Sequence, residues 1–345
     1  MSKMLSEIKE QPGALRACIE CNKDTIARLV AELKSKPIVG INIAARGTSD
    51  HAGIFAKYVA EHYLGIPVGL AAPSVVSVSK KTVQLNGFLV IGVSQSGKAE
   101  DVLAYLKSAK ATGAVTVAVT NDLTSPLAKE ADYHIFCAAG PEVSVAATKT
   151  FTTEMLCLLS LIAAWSGSEE LNRIVAALPE AMEEAITSLE TQLPAIAAAF
   201  KDVGDCIYLS RGFTYPIALE GTLKIQETCY VRAKGYATSD FYHGPLALAG
   251  PGLHCIAVAP AGTYREEILE LCQRIKATGA DLTLITTAGC EGAPADRTVY
   301  LPASDEVTSV FAAAAAVQLL AYNLTLAKGL DADNPRNIQK VTITV

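Results

Sequence analysis

The sequence predicts an α/β protein built from two doubly wound parallel sheets that are related by internal duplication. Apolar runs typical of strands buried on both faces alternate with helical segments, as in a parallel sheet covered by helices. A similar series of strands, with similar spacing, occurs in both halves, which favours a duplication over two unrelated α/β domains. A chain of 345 residues is long enough for two domains of ordinary size.

Each half contributes four clear strand signals. In the first half, residues 38–43 and 88–93 are nearly continuous apolar runs. Polar turns that contain glycine follow both runs and lead into helices, as in βαβ units. The remaining predicted strands begin near residues 115, 133, 207, 256, 282 and 297. Each half is therefore expected to form a three-layer αβα domain of the flavodoxin type.

Helical segments surround these sheets. Residues 15–36 have helical periodicity and end before Pro37, and residues 148–200 form a second helical stretch. The predicted organisation is an N-terminal helical segment, a first domain, a helical connector, a second domain and a C-terminal tail. Their bounds are residues 1–36, 37–167, 168–203, 204–328 and 329–345.

Composition excludes several classes of protein. Half of the residues are hydrophobic and 19% are charged, which argues against disorder. The net charge of −6 and the lack of a dense Lys/Arg run argue against a nucleic-acid partner. Residues 1–4 lack the apolar core of a signal peptide. The stretch at 155–165 is too short to span a bilayer, and the Ala-rich stretch at 310–322 is broken by Gln318, whereas a span needs roughly 20 strongly apolar residues. No membrane partner is therefore expected, and the stretch at 310–322 is predicted to be a buried helix.

The nine cysteines are scattered, and most lie in apolar runs. They are typical of buried free thiols in a reducing compartment, which predicts a cytoplasmic location. Cys18 and Cys21 form a lone CxxC with no second Cys or His pair nearby, so no metal is expected. No cofactor is expected, and the chain has neither a GxxxxGK[ST] loop nor a GxGxxG fingerprint after a strand.

The turn after the second predicted strand is a candidate phosphate site. Ser94, Gln95 and Ser96 offer two hydroxyls and an amide beside a predicted helix N-terminus, where backbone N–H groups and the helix dipole favour an anion. Gly97 allows the backbone to approach a ligand closely, and Lys98 adds positive charge. Since Ser and Gly are common at helix starts, a capped turn without a ligand is the alternative.

A related turn follows the first strand. It contains Ser49, at the carboxyl end of the sheet, where open α/β sheets bind ligands. The alternative for Ser49 is a helix N-cap.

The densest polar cluster lies in the second half. Glu220, Lys224 and Glu227 share one face of an otherwise apolar helical segment, and a solvated row of ion pairs is the alternative. His243 precedes a Gly-Pro turn, a suitable place for a projecting proton carrier, although a lone histidine is more often structural. In the tail, Lys340 is an amine able to condense with a carbonyl substrate, unless the tail simply docks as a strand.

Together these segments resemble the isomerase part of glucosamine-6-phosphate synthase, a tandem pair of sugar-isomerase (SIS) domains. The matching stretches follow the family's order along nearly the whole chain, and as a set they are highly specific. They are residues 10–12, 45–49, 94–97, 148–153, 215–221, 243–248 and 333–340.

The resemblance implies a ligand-binding role for five residues. Ser49, Ser94, Gln95 and Ser96 are similar to the residues that cradle the sugar phosphate in the family. Val145 is similar to a residue that contacts the sugar through its backbone.

The resemblance also implies catalytic roles. Glu227 resembles the base that moves a proton between C1 and C2, and Glu220 and Lys224 resemble its partners. His243 resembles the ring-opening acid/base that reaches in from a neighbouring subunit, which implies at least a homodimer. Lys340 resembles the amine that condenses with the open-chain ketose, which would make the tail part of the active site.

Four positions depart from the family pattern. Lys98 and Ala99 stand where the phosphate loop of the family has Glu and Thr. Ala147 replaces a serine near the sugar, and Lys234 stands where the family usually has a glutamate. These changes leave the phosphosugar class intact and bear on which sugar is bound.

The chain begins where the synthase's glutaminase domain would have ended, so no internal ammonia source is expected. The expected reaction is the isomerising deamination of glucosamine 6-phosphate to fructose 6-phosphate and ammonia, or its reverse with free ammonium. A fructosamine-6-phosphate deglycase is the alternative, since Ala147 leaves room and Lys234 could meet a carboxylate.

A non-catalytic phosphosugar sensor is a further alternative. Only about 36 residues precede the first predicted strand, which leaves no space for a DNA-binding helix-turn-helix. The set of acidic, basic and histidine side chains also exceeds what binding alone needs.

Overall fold

The described residues form two five-stranded parallel sheets. A computed structural model describes residues 2–290 and 294–340, so the last five residues of the predicted tail lie outside the described part. The strands of the first sheet are β1 (Gly40–Ala44), β2 (Val68–Leu70), β3 (Phe88–Val93), β4 (Val115–Thr120) and β5 (Tyr133–Phe136). Those of the second are β6 (Asp205–Ser210), β7 (Arg232–Ala237), β8 (His254–Val258), β9 (Asp281–Thr287) and β10 (Arg297–Leu301).

The two sheets have the same topology. Their strand orders are β2-β1-β3-β4-β5 and β7-β6-β8-β9-β10, and every neighbouring pair is parallel. This is the doubly wound order of flavodoxin-like folds. The predicted fold class, with two duplicated three-layer domains, is confirmed.

Helices cover both sheets. They are α1 (Lys3–Lys9), α2 (Gln11–Ser35), α3 (Thr48–Leu64), α4 (Ser74–Ser77), α5 (Glu100–Ala111), α6 (Pro126–Glu130), α7 (Lys149–Ser166), α8 (Glu169–Ala199), α9 (Tyr215–Cys229), α10 (Thr238–Tyr242), α11 (Arg265–Ala277) and α12 (Glu306–Ala327). Local sequence sets several of their ends. Gly65 ends α3 in the left-handed region, and Asp305 caps α12 by accepting the Thr308 N–H.

The described chain divides into two compact units. The first unit comprises Gln11–Val143 and Lys149–Pro179 with the tail from Gln339. The second unit comprises Ser144–Thr148 and Glu180–Ile338 with the N-terminal residues up to Glu10. The predicted domain bounds themselves stay predictions.

The cores are apolar and contain most of the cysteines. In the first unit all six residues of β4 are buried, and α7 packs on α2 and α3. In the second unit α12 packs on α9, and the predicted buried helix at 310–322 lies within it. By length and composition α12 is apolar enough to cross a bilayer, but 83% of its most apolar window is buried inside the protein. All nine cysteines are free, and most of them are buried.

Sequence reasoning missed one strand in each sheet. β2 and β7 both lie at sheet edges, where a strand pairs on one side only. β2 has three residues, and β7 alternates exposed and buried positions with charged side chains, so neither presents an apolar run.

Candidate active site

The residues 94–97, here called the serine loop, connect the carboxyl end of β3 to the segment before α5. Backbone hydrogen bonds to the neighbouring strand fix the loop. The Ser94 N–H donates to the Val119 carbonyl, and the Asn121 N–H donates to the Gln95 carbonyl, both at 3.0 Å. The loop is thus held at the sheet edge where ligands of this fold class bind.

Donor groups of the serine loop remain available to an anion. Ser94 Oγ accepts the Gly97 N–H at 3.2 Å, and Ser96 Oγ accepts the Lys98 N–H at 3.3 Å. Among residues 2–290 and 294–340, neither hydroxyl hydrogen has an acceptor, nor do the N–H groups of Gln95 and Ser96. Two hydroxyls and two amides suit the oxygens of a phosphate.

Glycine is required at position 97. Its φ of +61° lies in the left-handed region. A Cβ there would also lie 2.2 Å from Ser125 Oγ, closer than real contacts allow. The turn of the loop therefore depends on the absence of a side chain.

The sequence predicted a helix N-terminus directly after the serine loop, and this prediction is wrong. α5 begins at Glu100, because Gly97 turns left-handed and Ala99 is extended. The first turn of α5 carries Glu100 and Asp101, which are unfavourable to a bound anion. The buried Asp101 is paired with Arg46 at 2.7 Å, so the turn after β1 is tied to the start of α5.

Ser49 lies in the first turn of α3 and is buried. The N-cap of α3 is Gly47, so the alternative of Ser49 as an N-cap is wrong. Its hydroxyl donates to Oε1 of buried Glu154, on α7, at 2.9 Å. Because the hydroxyl hydrogen is used in this bond, the backbone N–H is the remaining donor of Ser49. This N–H has no acceptor in the described part of the chain.

Lys340 is part of the first unit, where its ammonium lies 2.5 Å from Glu142 Oε2. The Glu142 side chain has no exposed surface. It also accepts the Thr150 N–H at 3.0 Å and the Thr150 hydroxyl at 2.7 Å. Burial alone would raise the pKa of Glu142, but the Lys340 charge and these hydrogen bonds outweigh it, and the pKa lies below its ordinary value.

In the second unit, Glu220, Lys224 and Glu227 of α9 form a connected row, here called the α9 row. Lys224 Nζ lies 2.6 Å from Glu227 Oε2 and 3.3 Å from Glu220 Oε1. The side chains of Glu220 and Lys224 have no exposed surface, whereas that of Glu227 is 22% exposed. The alternative of a solvated row of ion pairs is therefore wrong.

The buried lysine of the α9 row carries a charge. Burial lowers the pKa of Lys224, but the two carboxylates beside it outweigh that effect and leave the pKa above its ordinary value. Lys224 is therefore an ammonium at neutral pH. It holds the Glu227 carboxylate in a fixed position, which a proton carrier requires.

Open space borders the exposed end of the α9 row. A cavity of about 510 Å³ is lined by Glu227 together with Tyr230, Arg232 and Arg336. The Arg336 guanidinium lies 4.0 Å from the centroid of the Tyr230 ring. Glu227 is thus the member of the row that a ligand is able to reach from this cavity.

His243 is exposed in the second unit. It follows α10, and its backbone N–H donates to the Asp240 carbonyl at 3.1 Å. Gly244 has a φ of +128°, which turns the chain immediately after it. Within the described residues, the structure does not bring His243 into contact with the α9 row.

Val145 belongs to the short segment Ser144–Thr148 of the second unit. The preceding Ser144 N–H donates to both carboxylate oxygens of buried Glu7 at 3.2 Å. Val145 itself is partly buried, and its own peptide groups have no hydrogen bond within the described ranges. They therefore remain available for the predicted backbone contact.

Two of the departing positions lie in different surroundings. Ala147 is partly buried in the same segment as Val145. Lys234 is exposed on β7, with its ammonium 5.5 Å from the Tyr236 ring, and it lines a separate cavity of about 360 Å³. Glu227 does not line that second cavity.

The sequence analysis did not identify the carboxylates that hold the predicted site residues in place. Glu142, Glu154 and Asp101 are buried acids, each bound to a predicted or neighbouring group. Glu142 follows β5 at the carboxyl edge, a position that could have marked it. Nothing in the sequence linked Glu154 to Ser49, which lies 105 residues earlier. No group of three His, Cys, Asp or Glu in the described part of the chain could hold a metal ion.

Comparisons with known proteins agree with the fold. The family model "SIS domain" matches residues 40–164 and 199–328. The glutamine–fructose-6-phosphate aminotransferase (isomerizing) of Methanothermobacter thermautotrophicus is 34% identical over 340 residues, which cover 98% of this chain and 56% of that protein. The corresponding protein of Bradyrhizobium diazoefficiens is 36% identical over 359 residues, covering 99% and 59%. The chain thus spans a little over half the length of these relatives.

Solved structures match along the whole chain. The C-terminal domain of glucosamine-fructose-6-phosphate aminotransferase from Francisella tularensis is 30% identical with a TM-score of 0.83, covering 97% of this chain and 98% of that one. The glucosamine-6-phosphate deaminase of Thermotoga maritima, at 22% identity and a TM-score of 0.76, covers 99% and 100% and shows the shared fold. The predicted resemblance is confirmed.

Proposed function

Because the chain belongs to the SIS-domain family, we propose that it is a phosphosugar aldose–ketose isomerase that deaminates glucosamine 6-phosphate to fructose 6-phosphate and ammonia. One observation carries this proposal above the others. The α9 row holds a single partly exposed carboxylate, Glu227, beside a buried ammonium and at the border of a cavity. A fixed carboxylate that meets open space is what proton transfer at carbon requires.

The phosphate of the sugar would bind in the first unit. The serine loop supplies the hydroxyls of Ser94 and Ser96 and the amides of Gln95 and Ser96, all without acceptors of their own in the described chain. The Ser49 amide would add a further donor. Such contacts hold a substrate by a group that does not react, which positions the carbons that do.

The reaction would begin with opening of the sugar ring. His243 would donate a proton to the ring oxygen and accept one from the C1 hydroxyl, which gives the free aldehyde. Glu227 would then take the proton from C2 and return it to C1. Protonation of the C1 oxygen completes the shift, and the product is a ketimine at C2.

Release of ammonia would follow by hydration. Water adds to the carbon of the C2 ketimine, and the resulting carbinolamine expels ammonia to leave the ketone of fructose 6-phosphate. The overall change consumes one water and releases one ammonia, and it is reversible with free ammonium. Lys224 and Glu220 have no exposed side-chain surface, so the geometry supports a role for both in holding Glu227.

A deglycase for fructosamine 6-phosphates is the second candidate. It would use the same proton transfer and release an amine in place of ammonia. The cavity of about 510 Å³ beside Glu227 favours it, because a substituent on the amine needs space there. Lys234 gives it less support than expected, since that ammonium lines the other cavity.

A substrate panel tests the proposal. The purified chain is incubated with glucosamine 6-phosphate, with its epimer galactosamine 6-phosphate, and with fructosamine 6-phosphates in which the amine is that of a simple amino acid. Ammonia and free amino acid are then measured separately, with unphosphorylated sugars as matched controls. Ammonia and fructose 6-phosphate from glucosamine 6-phosphate support the deaminase. Amino acid release alone supports the deglycase, and no turnover of any phosphosugar rejects both.

The remaining expectations stay proposals. We propose that the chain acts as a homodimer in which His243 completes the site of the neighbouring subunit. The exposure of His243 and of Leu248, which is 60% exposed in the same segment, supports a packing partner there. A cytoplasmic location fits the free cysteines and the phosphorylated substrate.

A further inference from the structure

We propose that Arg46 is a further binding residue for the phosphate of the substrate, and that the buried carboxylate of Asp101 holds it in place. This role of Arg46 rests on the proposed function, because it requires the serine loop to bind a phosphate ester. Arg46, Asp101 and the serine loop all belong to the first unit. The ligand class that they fit is a phosphate monoester, which carries nearly two negative charges at neutral pH.

The register of the first sheet places Arg46 beside the serine loop. β1 and β3 are parallel neighbours, and Ala44 lies opposite Gly92 at the end of their pairing. Arg46 comes two residues after Ala44, and Ser94 comes two residues after Gly92. Because neighbouring strands are about 4.8 Å apart, Arg46 and Ser94 leave the same edge of the sheet close together. The turn after β1 therefore adjoins the loop that offers hydroxyls and amides to an anion.

Asp101 fixes the guanidinium at this edge. Arg46 Nη2 lies 2.7 Å from Asp101 Oδ2, and Nη1 donates to the Ala45 carbonyl at 3.0 Å. The Asp101 side chain is only 4% exposed, and its Oδ1 accepts the Val102 N–H at 2.9 Å. An enclosed carboxylate with its own hydrogen bond is a rigid anchor for a partner. Since Asp101 lies in the first turn of α5, it holds the guanidinium next to the segment that follows the serine loop.

Arg46 retains N–H groups with which to bind a ligand. A guanidinium has five N–H donors in a planar fork. Within residues 2–290 and 294–340, Nη1 and Nη2 bind Ala45 and Asp101, whereas Nε has no acceptor. The Arg46 side chain is 44% exposed, so an oxygen of a ligand is able to reach the remaining donors.

The charges around the serine loop indicate why a phosphate needs this residue. The first turns of α3 and α5 contain three acids, Asp50, Glu100 and Asp101, which disfavour a bound anion. The hydroxyls and amides of the serine loop are neutral donors and do not offset them. Lys98 is exposed, where water and salt screen its charge. Arg46 is fixed, and a guanidinium binds phosphate oxygens through charge-assisted hydrogen bonds.

Calorimetry with two unreactive ligands tests this role without turnover. Glucitol 6-phosphate and glucitol 6-sulfate have no carbonyl to isomerise, and the sulfate ester carries only one negative charge. R46Q should weaken binding of the phosphate ester by about 10- to 100-fold, the range expected for loss of one charged hydrogen bond. The preference for phosphate over sulfate should fall as well. R46K keeps the charge but not the fork, and it should bind within about tenfold of the wild type.

A double variant separates direct contact from simple neutralisation of Asp101. R46Q leaves a buried carboxylate without its cation, which endangers folding, whereas R46Q/D101N removes both charges. If Arg46 contacts the phosphate, the double variant should still bind glucitol 6-phosphate about tenfold or more weakly than the wild type. Recovery of wild-type affinity in R46Q/D101N would overturn the direct contact. K23Q, which removes an exposed cation of α2 in the same unit, is the control and should leave binding unchanged.

Failure of this role and failure of the proposed function give different results. With glucosamine 6-phosphate, R46Q should raise KM by about 10- to 100-fold and keep kcat within about tenfold. Equal affinity of R46Q and the wild type for glucitol 6-phosphate overturns the role of Arg46 and leaves the proposed function standing. An equal loss of affinity for the phosphate and sulfate esters overturns it too. If the wild type shows the expected binding but turns over no phosphosugar, the proposed reaction fails and the role of Arg46 stands. A wild type that binds no phosphate ester rejects both.

Discussion

Lys224 shows how one buried charge organises the α9 row. Its ammonium has left water completely, and the two flanking carboxylates compensate for the loss of hydration. Two acids without the lysine would repel each other inside the protein. The lysine thus makes it possible for a helix face to present Glu227 in one position.

Replacement of Glu227 by glutamine tests the base directly. Glutamine keeps the size of the side chain but cannot carry a proton between C1 and C2, so turnover should fall by about 10²- to 10⁴-fold. Phosphosugar binding, measured by calorimetry, should persist because the serine loop is unchanged. E266Q, at a side chain on α11 that is 86% exposed, is a suitable control. Turnover close to that of the wild type in Glu227→Gln would rule out Glu227 as the base.

For contacts between individual residues, the sequence allowed a prediction when both residues lie on the same helix. The spacing of Glu220, Lys224 and Glu227 was sufficient to predict their contact, although not their burial, which depends on other elements packing over α9. The pair of Ser49 with Glu154 joins α3 to α7. No local pattern links two positions on different helices, so this contact required the structure.

At the scale of elements, strand prediction succeeded where strands are buried on both faces. β1, β3, β4 and their counterparts in the second sheet lie inside and have apolar runs. The edge strands β5 and β10 were predicted as well, whereas β2 was missed because it has only three residues and β7 because charged side chains interrupt it. The start of α5 was expected too early, since Ser and Gly are common at helix starts and here form a separate loop.

The serine loop yields a prediction for Gly97. In Gly97→Ala, the new Cβ would meet Ser125 Oγ in a backbone conformation that alanine rarely adopts, so the loop must move. KM for glucosamine 6-phosphate should rise about tenfold or more, and the free energy of unfolding should fall by about 1–3 kcal/mol. Steady-state kinetics and urea unfolding measure the two effects.

Gly13→Ala is the matched control for this substitution. Gly13 lies in α2 with open space around its Cα, so alanine should raise the free energy of unfolding by about 0.5–1 kcal/mol and leave KM unchanged. A Gly97→Ala variant with normal KM would show that the loop conformation is not needed for binding.

The start of α1 depends on a residue from the other end of the chain. Asp333 accepts the N–H groups of Lys3 and Met4 and the hydroxyl of Ser2, at 2.8–3.0 Å. Burial raises the pKa of Asp333, but these hydrogen bonds outweigh it, and the pKa lies below the ordinary 3.8. The carboxylate therefore stabilises the folded state above pH 3.8, and this contribution is lost as the pH falls through the folded-state pKa.

Asp333→Asn isolates that charge. The amide retains an acceptor oxygen but not the negative charge favoured at a helix N-terminus, so the variant should be less stable than the wild type by about 0.3–1 kcal/mol at pH 7. The difference should shrink as the pH drops below 3.8. Urea unfolding at pH 7 and in acid measures both values. A difference that is the same at both pH values would contradict the role assigned to the carboxylate.

At the scale of the whole molecule, duplication preserved the fold while the chemistry diverged. The serine loop follows β3, the third strand of the order in its sheet. The corresponding strand of the second sheet, β8, is followed by Ala259, Pro260 and Ala261, which have no side-chain donors. The helices after the first strands of the two sheets differ in the same way. The helix α9 after β6 carries the α9 row, whereas the helix α3 after β1 has no such row in the described chain. One unit thus has the features of a phosphate site, and the other those of a proton carrier.

Complementation between two inactive variants tests the proposed dimer. If His243 serves the neighbouring subunit, E227Q and H243N each inactivate every site of their own dimers. In a mixed dimer, however, the intact Glu227 of one chain meets the intact His243 of the other. Random reassociation of equal amounts makes half of the dimers mixed, each with one working site, so activity should recover to about a quarter of the wild-type value. If both residues act within one chain, no mixture contains a complete site and the activity stays at background. Reassociation of differently tagged wild-type chains, followed by affinity capture, verifies that subunits exchange under the conditions used.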